Sequence, residues 1–333
     1  MVNVSKRGEV RGRAGAYALS LLGTSPNATV LRALAEGPTG LAELQARGGA
    51  PGSTLRARIR DLFDADVIAT RRGCAFRGRS KAYELTDAGE DLLPVAEIVE
   101  GWLDGSPNGG RGFGGDAAKA AIGALAEGWS ATLLRALAAR PLSIADLDSL
   151  INAFNYPSLE RRIAAMRHAG QVEARPMQGR ETPYAVTDWL RRGVAPLLAA
   201  IRWERRHLNG SGAPLAGLDV EAALLLAVPL LELDSGLSSA CRLAVELPSG
   251  KEVRVVGVLA GIEDGSVTSC VSRLDGDVDA WASGSIGAWL EALIDRDEES
   301  LELGGDGRLA RTLIAGLHDA LFAGAPGRDE AFA

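Results

Sequence analysis

Nine cationic side chains fall between Arg47 and Lys81: Arg47, Arg56, Arg58, Arg60, Arg71, Arg72, Arg77, Arg79 and Lys81. Only Asp61, Asp64 and Asp66 oppose them within that span. Guanidinium groups at this density suit phosphate, because each Lys/Arg–phosphate contact releases condensed counterions. An Arg fork can also take guanine O6 and N7 together. The same residues equally fit a solvated helix face, so the elements that carry them must decide. The cluster is conspicuous because the chain is acidic, with a formal net charge of -7 over 333 residues. Residues 1–110 hold 14 Lys/Arg against 13 Asp/Glu, 111–210 hold 14 against 9, and 211–333 hold 8 against 21. The acidity belongs to the last third, which suggests that the two parts of the chain meet different partners.

A chain of this length exceeds what one hydrophobic core usually organises, so two or three domains are expected. Hydrophobic content of 47% and charged content of 24% are ordinary for globular proteins. Cys74, Cys241 and Cys270 form no CxxC pair, so neither a disulfide framework nor a zinc site is indicated, and a cytoplasmic setting fits. Cys74 on its own is read as an inert thiol rather than a redox sensor. The longest apolar run, Ala222 to Leu233, is about half the ~20 residues a membrane span needs. No membrane association is expected. His168, His207 and His318 lie far apart, and no nucleophile elbow, P-loop or dinucleotide fingerprint occurs. The chain is therefore expected not to be an enzyme, with no catalytic residues, no metal and no cofactor.

The chain repeats itself. ATVLRALAEGPTGLAEL (28–44) lines up without a gap on ATLLRALAARPLSIADL (131–147). TLRARIRDL then matches SLERRIAAM, AYELTDAG (82–89) matches PYAVTDWL (183–190), and Trp102 matches Trp203. In each copy a first helix precedes a second, for which Asn27 or Ser130 is the expected cap. A short helix, a turn and a further helix follow; in copy one the last of these is expected to bury Leu55, Ile59, Leu62 and Phe63. Two short strands around a polar loop come next, and Thr86 or Thr187 caps a closing helix. That order predicts a winged helix-turn-helix in each copy.

LRALAEGPTGLAEL, STLRARIRDLFDADVI and KAYELTDAGEDLLPVAEIVEGW together resemble the HxlR-type (MarR-like) transcriptional regulators. Copy two keeps Tyr184, Thr187 and Trp203 but has Trp189 and Leu190 where copy one has Ala88 and Gly89. The resemblance implies binding to a double-stranded DNA operator, as a homodimer or as an internal pseudo-dimer of the two copies. The second helix of such a motif enters the major groove. Ser53, Thr54, Arg56, Arg58 and Arg60 would then face DNA, with Arg71, Arg72, Arg77, Arg79 and Lys81 on the wing, and Arg161, Arg162 and Arg167 in copy two. Residues 12–106 form the first such domain, 107–125 a linker with the first helix of the second copy, and 117–208 the second domain.

Residues 214–325 carry a different pattern. Apolar segments broken by EDGS and LDGD read as antiparallel strands, followed by an amphipathic helix, a strand and a last helix. DVDAWASGSIGAWLEALI and LELGGDGRLARTLIAGLHDALF resemble sterol carrier protein type 2-like domains. The resemblance implies an α+β fold with an apolar cavity for a hydrophobic small-molecule effector. Trp281, Trp289, Leu293 and Leu225 are candidate cavity residues, although each is also an ordinary core residue. The fold class expected is therefore multi-domain: two winged helix-turn-helix domains, mainly α with a β-hairpin wing, then an α+β sterol-carrier-like domain. The functional expectation is a transcriptional regulator whose operator binding responds to a hydrophobic effector. The alternative is a protein that sequesters a natural product, as in self-resistance, between the two copies, where Trp129, Phe154, Tyr156, Trp189 and Trp203 concentrate.

Overall fold

A computed structural model of the chain describes residues 13–48, 50–71, 81–107, 109, 112–113, 115–127, 131–151, 155–175, 182–208 and 215–322. Copy one opens with α1 (Ala16–Leu22) and α2 (Ser25–Ala35). Helix α2 begins earlier than Asn27, with Pro26 in its first turn, where a missing N–H costs nothing. Asn27 is consequently inside the helix, fully buried, and its amide donates to Leu21 O (2.7 Å) rather than capping. Strand β1 (Thr39–Gly40), α3 (Leu41–Gly48) and α4 (Gly52–Asp64) follow. Leu55, Ile59 and Leu62 anchor one stripe of α4, but Phe63 is 49% exposed, contrary to expectation. One residue past Leu62 is a rotation of about 100°, which carries Phe63 off the buried stripe.

Strands β2 (Ile68–Arg71) and β3 (Ala82–Leu85) pair antiparallel, and β1 adds to the other edge of β3 through Thr39 and Tyr83. Helix α5 (Asp87–Asp104) closes copy one, with Thr86 accepting from Gly89 N (3.2 Å). Copy two runs α6 (Asp116–Glu127), α7 (Ala131–Ala139), α8 (Ile144–Leu150), α9 (Tyr156–His168), β4 (Val172–Ala174) and β5 (Tyr184–Val186). Ser143 and Asp146 make a reciprocal capping box on α8, and Asn155 caps α9. A single bridge, Leu142 to Tyr184, stands where copy one has β1. The closing helix is split into α10 (Asp188–Arg192) and α11 (Val194–His207). Pro196 has no N–H to offer the Arg192 carbonyl, so the chain kinks at Gly193.

The two copies grip one another through their closing helices. The Trp102 indole donates to Trp189 O (2.9 Å), and the Trp203 indole donates to Ala88 O (2.8 Å). Residues 102 and 203 are equivalent in the repeat, as are 88 and 189, so one bond is the image of the other across an approximate dyad. Trp189 stacks on Trp102 at 4.7 Å, with planes 2° from parallel, and returns a bond to Trp102 O (2.8 Å). The equivalent position in copy one is Ala88, which has no ring, so the stack occurs on one side only.

The acidic third begins with α12 (Gly217–Ala227) and a short 3-10 turn at Val228–Leu230. A five-stranded sheet follows, made of β6 (Ser239–Ser249), β7 (Glu252–Glu263), β8 (Ser266–Val271), β9 (Ala280–Ser285) and β10 (Glu302–Gly305), in the order β10-β9-β6-β7-β8. Asp264 and Gly265 both hold positive φ (51° and 76°), the geometry of a tight hairpin turn between β7 and β8. The LDGD segment is no hairpin: β9 pairs parallel to β6, so residues 272–279 cross the sheet. Leu274 lies over Gly257, where a Cβ would stand 2.9 Å from its Cδ2. The other face is covered by α12, by α13 (Ile286–Leu290) with its π-helical extension Glu291–Asp295, and by α14 (Gly307–Phe322).

Apart from Asp219 and Glu221 near its start, helix α12 is apolar all round, as suits a helix enclosed by neighbours. It packs on α7, α10 and α11 as well as on β7 and α14. The half-buried Arg191 guanidinium reaches from α10 to Leu225 O (3.1 Å), Leu226 O (3.3 Å) and Ala138 O (3.4 Å). It thereby serves the carbonyl ends of α12 and α7 together, where cations are favoured. Arg135–Glu221 (3.3 Å) and Arg202–Asp295 (2.7 Å) add ion pairs across the same junction. No helix among the described residues is long and apolar enough to cross a membrane.

Candidate functional site

Ser53, Thr54, Arg56 and Arg60 are all exposed on α4, opposite the stripe of Leu55, Ile59 and Leu62. Arg58 is half-buried and bonds Asp61 (2.7 Å) one turn on along α4. Arg71 and Lys81 are exposed at the inner ends of β2 and β3, with Glu84 at 3.9 Å from Arg71. Arg72, Arg77 and Arg79 lie outside the described residues, as do Cys74, Trp129, Ser130 and Phe154.

Helix α9 presents a different surface. Superposing the repeat through Leu55/Leu159 and Ile59/Ile163 sets Glu160 at the place of Arg56 and Ala164 at that of Arg60. Arg161 and Arg162 are exposed, and the Arg161 Nε donates to Pro157 O (3.3 Å) on its own first turn. Arg167 sits over the Tyr184 ring at 5.7 Å. Sequence equivalence in the buried stripe is thus accompanied by inequivalence on the outer face.

The candidate ligand residues do not gather at one place. Trp289 and Leu293 wall an apolar cavity of about 80 Å³. Its other walls come from α6 and α11 of copy two, from α12 and α14, and from Arg13 and Ala14 just before α1. Leu225 is fully buried beside this cavity without lining it; Leu224 takes its place in the wall. Trp289 is held by its indole, which donates to Ala244 O (2.8 Å). Trp281 lies on the opposite face of the sheet, under Arg242 at 5.8 Å. Trp189, with Trp102, lines a separate open cleft of about 680 Å³, and Tyr156 stands exposed at the start of α9.

Arg13, Asp219 and Glu204 complete the cavity's surroundings, and sequence reasoning did not single them out. Arg13 and Asp219, 206 residues apart, form an ion pair in the cavity wall. Burial pushes the Asp219 carboxyl above its usual range, and Arg13 opposes that shift. Glu204, on the same helix as the wall residues Leu197 and Ile201, accepts from Gly15 N (2.7 Å), Tyr17 N (2.8 Å) and Ala18 N (3.1 Å). It caps α1 of copy one from α11 of copy two. Long-range pairing of this kind leaves no periodicity or motif to read. The available signal was the pair of acids, Asp219 and Glu221, in the otherwise apolar GLDVEAALLLA; Glu204 lies among Arg202, Arg205 and Arg206 and does not stand out. No family model matches the chain, and no curated protein matches it.

Proposed function

We propose that the chain is a DNA-binding regulator in which two winged-helix copies form a pseudo-dimer on an operator and an apolar effector adjusts their grip. The observation that carries this reading is α4. Its buried stripe fixes the helix against the core, and its exposed side presents Ser53, Thr54, Arg56 and Arg60 in succession. Short hydroxyls at the helix start reach phosphate or base edges, and arginines one turn apart span neighbouring phosphates or a guanine edge. Arg71 and Lys81, flanking the wing, extend the same positive surface.

The direct test is binding of the full chain to the DNA upstream of its own coding region, titrated across salt. Affinity should fall linearly on logarithmic axes, and Arg56→Ala with Arg60→Ala should lower the slope by about two. Unchanged slope and affinity would remove α4 from the interface. One observation favours the second reading, sequestration of a small molecule on a winged-helix scaffold: Glu160 and Ala164 replace the two key arginines in copy two. Under that reading the chain binds the effector but shifts no DNA fragment at low salt.

A further inference from the structure

Among the described residues of copy one, a single large apolar side chain is left exposed: Phe63, next to last on α4. A lone exposed phenyl is ordinary on a protein surface. Its place on the helix sets this one apart. Arg56, Arg60 and Phe63 stand at i, i+4 and i+7, and residues so spaced share one side of a helix. All three are exposed, while Leu55, Ile59 and Leu62 turn to the core. The ring therefore continues the stripe that the two arginines begin. Side chains of a helix lean toward its N-terminus, which carries the ring back toward Arg60 rather than off the end of α4.

On a recognition helix this spacing has a use. A helix laid in the major groove reads bases from positions spaced i, i+3, i+4 and i+7. Guanine O6 and N7 take an arginine fork, whereas the thymine 5-methyl group takes an apolar side chain such as phenylalanine. A phenyl ring releases no counterions, so it adds nothing to sequence-independent attraction for phosphate. Copy two lacks the feature. Its equivalent of Phe63 is Arg167, which lies over the Tyr184 ring at 5.7 Å.

We infer that Phe63 is a specificity residue of the proposed interface and reads a thymine through its 5-methyl group, a role that rests on the DNA-binding reading. Only the half-site under copy one should carry this contact. Arg56 to Phe63 covers about 10 Å of helix axis, and a duplex rises about 3.4 Å per base pair. The thymine should accordingly lie about three base pairs from the position that Arg56 reads.

Deoxyuridine provides the test, because it lacks only the methyl and keeps both O4 and the pairing with adenine. A duplex selected by the full chain from a random pool is rebuilt with each thymine replaced in turn. One replacement, in the half whose preference Arg56→Ala erases, should weaken binding about fourfold, the worth of one buried methyl. Phe63→Ala should bind the thymine duplex about fourfold or more weakly and no longer distinguish thymine from uracil at that position. Its salt slope should match the parent's, since no phosphate contact is lost. Phe63→Leu, which keeps an apolar side chain, should retain the discrimination. No thymine whose methyl matters, discrimination that survives Phe63→Ala, or a sensitive thymine only in the other half would each overturn the assignment and leave the regulator standing. A parent chain that selects no duplex at low salt overturns the regulator, and the role of Phe63 with it.

Discussion

Glu204 has 1% of its surface exposed and yet carries a carboxylate. Burial raises its proton affinity above the ordinary carboxylate value, and the N–H groups of Gly15, Ala18 and Tyr17 pull it back without cancelling the effect. The folded chain thus binds this proton more tightly than the unfolded chain does. Such a group contributes its full stability below the unfolded value, 4.5, and loses it as pH rises through the higher folded value. Glu204→Gln abolishes the titration and sets an amide N–H against one of the backbone donors. The Tm deficit of Glu204→Gln relative to the parent should accordingly be largest near pH 4 and narrow toward neutrality. A deficit that widens with pH would show that the three hydrogen bonds outweigh burial. At the same scale, Arg191 holds three carbonyls at the ends of two helices, and burial lowers its own proton affinity. Arg191→Met retains the stem but abandons those acceptors, and should cost about 1–3 kcal/mol in denaturant unfolding. A cost within error of zero would mean that α12 docks by apolar packing alone.

Local rules explain which elements could be read in advance. Leu55, Ile59 and Leu62 lie on one stripe because α4 is a regular helix, and Thr86 and Thr187 cap the closing helices because each hydroxyl meets an N–H three residues on. Asn27 and Phe63 misled for equally local reasons: a proline moved the start of α2, and one residue of rotation exposed a phenyl ring. The parallel β6–β9 pairing and the crossing of residues 272–279 were illegible because a Gly/Asp segment looks the same in a hairpin and in a crossover. The cap supplied by Glu204 joins residues 186 to 189 positions apart and the Arg13–Asp219 pair residues 206 apart, beyond any spacing argument. Gly89 shows how an element's start can hinge on one atom. A Cβ there would lie 2.2 Å from Val67 O and 3.0 Å from Leu85 Cδ2, so α5 can approach the strand only without a side chain. Copy two has Leu190 at this place. Gly89→Ala should therefore cost about 2 kcal/mol or more, measured by urea unfolding. Tolerance of the methyl at no cost would mean that α5 pivots freely on the sheet.

The approximate dyad through Trp102/Trp189 and Trp203/Ala88 gives the whole molecule two like-placed helices, α4 and α9, with unlike outer faces. On the proposed reading this combination dictates the shape of the operator. A homodimer repeats one recognition face and so selects a palindrome. Here the equivalents of Arg56 and Arg60 are Glu160 and Ala164, and a glutamate accepts from cytosine N4 where an arginine would seek guanine. One chain should therefore occupy a site whose two halves differ, with one chain per duplex in sedimentation experiments. Selection from random duplexes should return a consensus without twofold symmetry. Arg56→Ala should erase base preference in one half alone and weaken binding by about 1–3 kcal/mol. Glu160→Ala should erase preference in the other half while raising affinity, since it withdraws a negative charge from the phosphates. Recovery of a palindrome bound by two chains would refute the intramolecular arrangement, and loss of preference in the same half for both variants would refute the assignment of one half to each copy.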